Sequence, residues 1–232
     1  MQILALDAST EWCSVALGGH DGFEERIEWA GQRHSQLMLP MIEALLSQAG
    51  TSLARLDGIA FGAGPGSFTG LRIACGIAQG LALGAGLKLV GVGTLAAMAE
   101  VARRHHGAGR VLAALDARMH EVYFAAYEHD GERWREHIAP EVAAPEAVAL
   151  PSGGGWLAVG NALSAYPTLR SHLAEAVVSF DQDIAPAASA VGALALQRFA
   201  AGEAVPAHAA TPIYVRHRVA VTTTERAAGV TL

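Results

Sequence analysis

Three short strands inside the first 29 residues limit the fold more than any later feature. Ile3–Leu6 is an apolar run of strand length, Cys13–Leu17 is a second, and Phe23–Trp29 alternates apolar with charged positions. Asp21-Gly22 supplies the hairpin turn between the last two. A helix follows, because Met38, Met41, Ile42, Leu45, Leu46 and Ala49 recur at helical steps and Gly50 stands ready to end it; Pro40 fits early in that helix or at a kink. Leu56–Phe61 reads as a strand, 62–70 as a glycine-rich loop and Leu71–Leu83 as a second helix. Leu87–Val92 is then a strand, and Thr94 can cap a helix running to about His105. An antiparallel start followed by alternating strands and helices predicts an α/β lobe with a mixed sheet flanked by helices.

The second half repeats the logic in a smaller form. Val111–Leu115, Glu121–Tyr127 and Trp134–Ile138 read as strands, the last two joined through Asp130-Gly131. After Pro151-Ser-Gly-Gly-Gly155 come a strand at Trp156–Val159, a helical stretch over Leu163–Leu173 and a helix over Ala187–Ala200. The expected division is a lobe over 1–109, a smaller lobe over 110–221 and a frayed tail over 222–232. With 52% hydrophobic residues the chain can bury a core, while a net charge of -6 leaves it without the positive excess that holds phosphate backbones. Cys13 and Cys75 are far apart in apolar surroundings, which fits reduced thiols in a cytoplasmic protein. The longest apolar stretch, Ile73–Leu87, is short of a bilayer span, so no membrane role is expected.

Two segments could carry chemistry. Asp7-Ala-Ser9-Thr10 ends the first strand, where a carboxylate and two hydroxyls can meet a metal-bound phosphate or simply cap a turn. Gly62-Ala-Gly-Pro-Gly-Ser67-Phe-Thr-Gly70 joins a strand to a helix, yet it has no lysine for a phosphate-binding loop and no third glycine in dinucleotide register. Ser67 as a helix cap serves as well as a ligand site. In the helix that follows, Gly76, Gly80 and Gly84 form a stripe on one face. Each costs about 1 kcal/mol relative to alanine, which implies close backbone approach by another element, either within the chain or from a second subunit. The ten histidines form no metal-ligand spacing, and His34 suits capping or packing. Asp116-Ala-Arg118-Met-His120-Glu121 mixes titratable groups at a strand end, as a turn with a local ion pair or as an acid/base site.

The run Gly64-Pro-Gly-Ser-Phe-Thr-Gly-Leu-Arg-Ile73, with Ala78-Gln-Gly-Leu-Ala82, resembles the signature of the TsaB (YeaZ) family of bacterial threonylcarbamoyladenosine biosynthesis proteins. Ile3–Thr10 with Cys13–Ala16, His34-Ser35 with Leu39-Pro40, Leu115–Met119 with Glu121-Val-Tyr123, and Pro212–Arg216 follow in family order. The resemblance implies an actin-like ATPase fold of the sugar-kinase type, with two lobes and the second reduced. It implies a non-catalytic partner of a TsaD-like catalytic subunit, working with a TsaE-like ATPase. The complex transfers a threonylcarbamoyl group to the adenosine following the anticodon of tRNAs that read codons beginning with A. It further implies that the first two helices form the subunit contact, here Leu37, Met38, Met41, Leu45, Arg72, Ile73, Gly76, Ile77, Gly80 and Gly84. The same surface would form a homodimer when the partner is absent, and tRNA would be reached only through the complex. The metal-binding histidine pair of the catalytic relative is missing, and Arg118 stands where the kinase-like phosphate loop is glycine-rich. Asp7, Ser9, Thr10, Asp116 and Arg118 are therefore expected to be a vestigial nucleotide site, with no metal and no cofactor beyond a nucleotide conceivable at the partner boundary. The alternative is an independent actin-fold ATP-dependent phosphotransferase. Ala74 replaces a glycine frequent in similar sequences.

Overall fold

A computed structural model describes residues 1–216. The meander forms as β1 (Gln2–Asp7), β2 (Trp12–Gly19) and β3 (Gly22–Trp29), with Leu6 opposite Val15 and Ser14 opposite Ile27. α1 (His34–Gln48) follows, and its end is set by Gly50, whose φ of 59° is the left-handed geometry that glycine adopts most readily. Pro40 lies in the interior of α1 and is solvent-exposed, further along the helix than a first-turn proline. β4 (Gly58–Gly64) pairs parallel to β1, α2 (Phe68–Ala85) returns the chain, and β5 (Lys88–Gly93) pairs parallel to β4. α3 (Thr94–His106) begins at Thr94 itself, with Gly93 as the cap. The expected Thr94 cap is thus not made: the helix starts one residue early and the threonine hydroxyl is buried without a hydrogen-bond partner among the described residues.

β6 (Arg110–Asp116), β7 (Val122–His129) and β8 (Trp134–Ala143) are antiparallel neighbours, while β9 (Trp156–Val159) and β10 (Val177–Asp181) extend the same sheet in parallel. The helical stretch expected over 163–173 is broken into α4 (Ala162–Ala165) and α5 (Pro167–Leu173), because Pro167 cannot continue a helix and instead starts the second. α6 (Ala188–Ala200) and β11 (Val205–Pro206) then leave this sheet. α6 packs on β1, β2, β4 and β5, and β11 pairs with β5, giving the orders β11-β5-β4-β1-β2-β3 and β10-β9-β6-β7-β8. Residues 188–213 therefore lie on the first lobe rather than the second, which corrects the expected boundary. The reason is burial: Ala188, Ala190, Val191, Ala195 and Leu196 find their apolar cover against the first sheet. The frayed tail expected over 222–232 lies outside the described residues.

The result is a two-lobed α/β arrangement of mixed sheets and helices in layers. α1 and α2 cover the outer face of the first sheet, α3 and α6 lie in the core shared by both sheets, and α4 and α5 cover the outer face of the second. Each sheet mixes parallel and antiparallel pairing, as the strand pattern predicted.

Candidate functional site

The two segments singled out by sequence fold against each other. Ser67 N–H donates to the Ser9 carbonyl at 2.7 Å, and the glycines of the loop permit the contact. A Cβ at Gly62 would stand 1.9 Å from Asp7 Oδ2, one at Gly66 2.3 Å from the Ser9 carbonyl oxygen, and one at Gly70 1.8 Å from that of Ala8. The glycines thus serve close packing of the first turn on the strand-to-helix junction. Ser67 caps α2 as expected, its Oγ accepting from Gly70 N–H at 3.3 Å. His34 packs beneath the same turn, with Nε2 2.9 Å from the Thr10 carbonyl oxygen.

Asp7 is buried. Its Oδ1 accepts from Ser9 N–H (3.0 Å) and Ser9 Oγ (2.8 Å), while Oδ2 has no hydrogen-bond partner among the described residues. Burial pushes its pKa up to about 6, against the opposing pull of the Ser9 hydrogen bonds. Ser9 and Thr10 line a cleft of about 1050 Å³ between the lobes, together with Asp116 and Arg118; Asp7 does not. Its carboxylate is sealed behind Gly62 and Ser9, so the expected five-residue site is brought together only in four of its members.

Arg118 crosses the cleft. Its Nη1 lies 3.0 Å from Asp116 Oδ2 in the second lobe and its Nη2 3.0 Å from Glu11 Oε1 in the first. Asp116 is held in turn by the Tyr166 hydroxyl, which donates to Oδ1 at 2.7 Å, and its backbone N–H donates to Asn161 Oδ1 at 2.9 Å. Arg118, Met119 and His120 all have positive φ (61°, 54° and 58°), which costs about 1–2 kcal/mol per non-glycine residue. The loop keeps this backbone through the Asp116 Oδ1 contact to Arg118 N–H and through Arg216, which bonds Glu121 and the Arg118 carbonyl. A guanidinium thus sits between the Glu11 and Asp116 carboxylates of the cleft.

α2 presents a different surface. Leu71, Ala74, Cys75, Ala78 and Ala82 point into the core, whereas Phe68, Arg72, Gly76, Gly80 and Gly84 form an exposed row at four-residue steps. A Cβ at any of the three glycines meets nothing within 4 Å, so no element among the described residues makes close approach there. Leu83 beside the row is 79% exposed and Phe68 at its head 50%. By length and composition α2 could cross a membrane, but one face of it is packed on β4 and α1. Three expected contact residues must be withdrawn: Met38, Met41 and Leu45 are buried between α1 and the first sheet, because they are the apolar stripe that holds α1 down. Leu37, Ile73 and Ile77 are half-buried at the edge of that core, and Leu39, not one of the ten expected contact residues, is exposed on α1.

A family model described as "TsaD: tRNA N6-adenosine threonylcarbamoyltransferase" matches residues 28–221. The chain is 43% identical to tRNA threonylcarbamoyladenosine biosynthesis protein TsaB of Escherichia coli K12, over 95% of this chain and 96% of that one. The chain belongs to the TsaB family. The Haemophilus influenzae TsaB is 39% identical over 94% of this chain and 95% of its own. A solved structure of YeaZ from Pseudomonas aeruginosa superposes with a TM-score of 0.86 at 40% identity, covering 92% of this chain and 99% of that one. A second, described as an uncharacterized protein with similarity to peptidase YEAZ from the same organism, gives 0.87 at 39% identity, covering 93% and 99%.

In this TsaB-family chain the described residues contain no group of three His, Cys, Asp or Glu side chains placed to hold a metal. Cys13, buried near Asp7 and Glu28, has its thiol pushed up to about 12, chiefly by desolvation. Several cleft residues carried no sequence signal of their own. Glu11 and Asn161, and Tyr166 beside them outside the lining, are single polar residues in three separate loops, and only the fold brings them to Asp116 and Arg118. Tyr214 and Arg216 stand in a segment that matched the family in order, yet nothing in their spacing said that one would reach α2 and the other the Arg118 loop.

Proposed function

We propose that this chain takes part in threonylcarbamoyladenosine biosynthesis as a non-catalytic partner subunit, docking a TsaD-type catalytic subunit on the exposed face of α2 and its α1 neighbour. The observation that carries the reading is the open row of Gly76, Gly80 and Gly84. Such a row loses helix propensity without gaining any contact among the described residues, and a partner helix seated in the trough would recover that loss through close packing. Phe68, Leu83 and Leu39 supply apolar area around it. A homodimer through the same face in the absence of the partner, recruitment of a TsaE-type ATPase and indirect contact with tRNA in the cytoplasm belong to the same proposal. The cleft supports the non-catalytic part of it, since Arg118 lies between Glu11 and Asp116 and Asp7 is sealed away.

Light scattering on the chain mixed with the TsaD-type subunit of its organism tests the docking. A heteromeric mass at micromolar concentration is expected, and Gly80→Trp, which fills the trough, should abolish it. Two unassociated species would overturn the proposal. The phosphotransferase reading draws on Asp7, Ser9, Thr10 and the size of the cleft. Hydrolysis of ATP by the isolated chain with magnesium would favour it instead.

A further inference from the structure

Resting on that docking reading, we propose that Arg72 is a preformed anchor for a carboxylate side chain of the partner subunit. Its guanidinium lies 3.7 Å from the centroid of the Phe68 ring, and its Nε donates to the Tyr214 hydroxyl at 3.1 Å. Stacking fixes the plane of the group and the Nε bond fixes its rotation, which leaves the two Nη nitrogens as an oriented fork. No carboxylate lies within 4.0 Å of Arg72 among the described residues, whereas Arg118 and Arg216, which line the same cleft, are both paired to acids. Arg72 is one helical turn from Gly76 in the exposed row, next after Phe68.

Two physical arguments make the occupant a carboxylate. A planar fork matches two oxygens of a carboxylate or a phosphate in a bidentate pair, which a lysine cannot do, and of these two anions a protein side chain supplies the carboxylate. The rim is aromatic and aliphatic: Phe68, Tyr214 and Ile213 are 50%, 44% and 47% exposed. A partner covering that rim would exclude water from the pair and raise its worth above that of an exposed ion pair. Tyr214 ties the anchor to the C-terminal segment, which is itself fixed by Ile213 N–H donating to the Ala63 carbonyl at 2.7 Å. The position of the fork is therefore set by two separate parts of the chain. Electrostatic pairing here would fix the register of the partner helix along a glycine trough that offers little register of its own.

Calorimetric titration of the TsaD-type subunit into the full chain, at low and moderate salt, tests this. Arg72→Ala should weaken binding about 30-fold or more, the loss associated with a central anchor. Arg72→Lys should recover only a small part of it, and Tyr214→Phe, which keeps charge and stacking but frees Nε, should weaken binding several-fold. The salt dependence of binding should be shallower in Arg72→Ala than in the parent. Parent-like affinity in Arg72→Ala, or full recovery in Arg72→Lys, overturns the anchor while the docking reading stands if Gly80→Trp still abolishes binding. If Gly80→Trp also binds like the parent, the docking reading itself fails.

Discussion

Replacing Gly76, Gly80 and Gly84 by alanine together separates the needs of the monomer from those of a partner. All three lie inside α2 with helical backbone, and a methyl group at each enters open space. No contact is lost, so each change gains the propensity difference of about 1 kcal/mol, or about 3 kcal/mol for the three. For a chain of this length that corresponds to a rise in Tm of about 6–12 °C. Thermal unfolding followed by circular dichroism measures it. Docking should move the other way, because three methyl groups raise the floor of the trough and hold a partner backbone outward; calorimetric titration with the TsaD-type subunit should show weaker binding by the same protein that melts higher. A triple variant no more stable than the parent would mean that something already covers the row. A stabilised variant with undiminished docking would mean that the partner sits elsewhere.

Two further outcomes follow from residues beside the cleft. Asp7, whose folded pKa of about 6 stands above its ordinary value of 3.8, favours the folded state only while protonated, so the stability present below pH 3.8 is lost as pH rises through about 6. That loss is about 3 kcal/mol. In urea unfolding at several pH values, the difference between parent and Asp7→Asn should slope across pH 4–6 and be level above it; a difference that does not change with pH would contradict a buried, titrating Asp7. Met119→Gly removes a positive-φ cost of about 1–2 kcal/mol at the expense of some unfolded-chain entropy. A net gain of about 0.5–1 kcal/mol in the same assay is expected, and a loss would show that the Met119 side chain holds the loop rather than merely enduring its backbone.

Local pattern made the element order legible. The opening meander, α1, α2 and the strand at Trp156–Val159 follow from apolar periodicity and turn residues, because each is decided by its own few residues. The return of α6 to the first sheet was not legible, since an alanine-rich amphipathic helix carries no mark of which sheet will cover it. The interface residues failed in a related way. Met38, Met41 and Leu45 were the strongest apolar positions of α1 and so were the ones the chain used for its own core. The glycine row was legible because it violates helix propensity, and a violation without internal compensation is where function tends to lie.

The same contrast orders the whole molecule. Deep in the cleft the charged groups are answered from within: Glu11 and Asp116 by Arg118, Arg216 by Glu121, and the glycines of the loop by the first turn. On α2 the strong features are unanswered: three glycines open on one side, a leucine and a phenylalanine exposed, and an arginine oriented toward no acid among the described residues. A ligand entering the cleft must break existing pairs, whereas a protein docking on α2 breaks none. That difference in cost is a physical argument in support of the docking proposal.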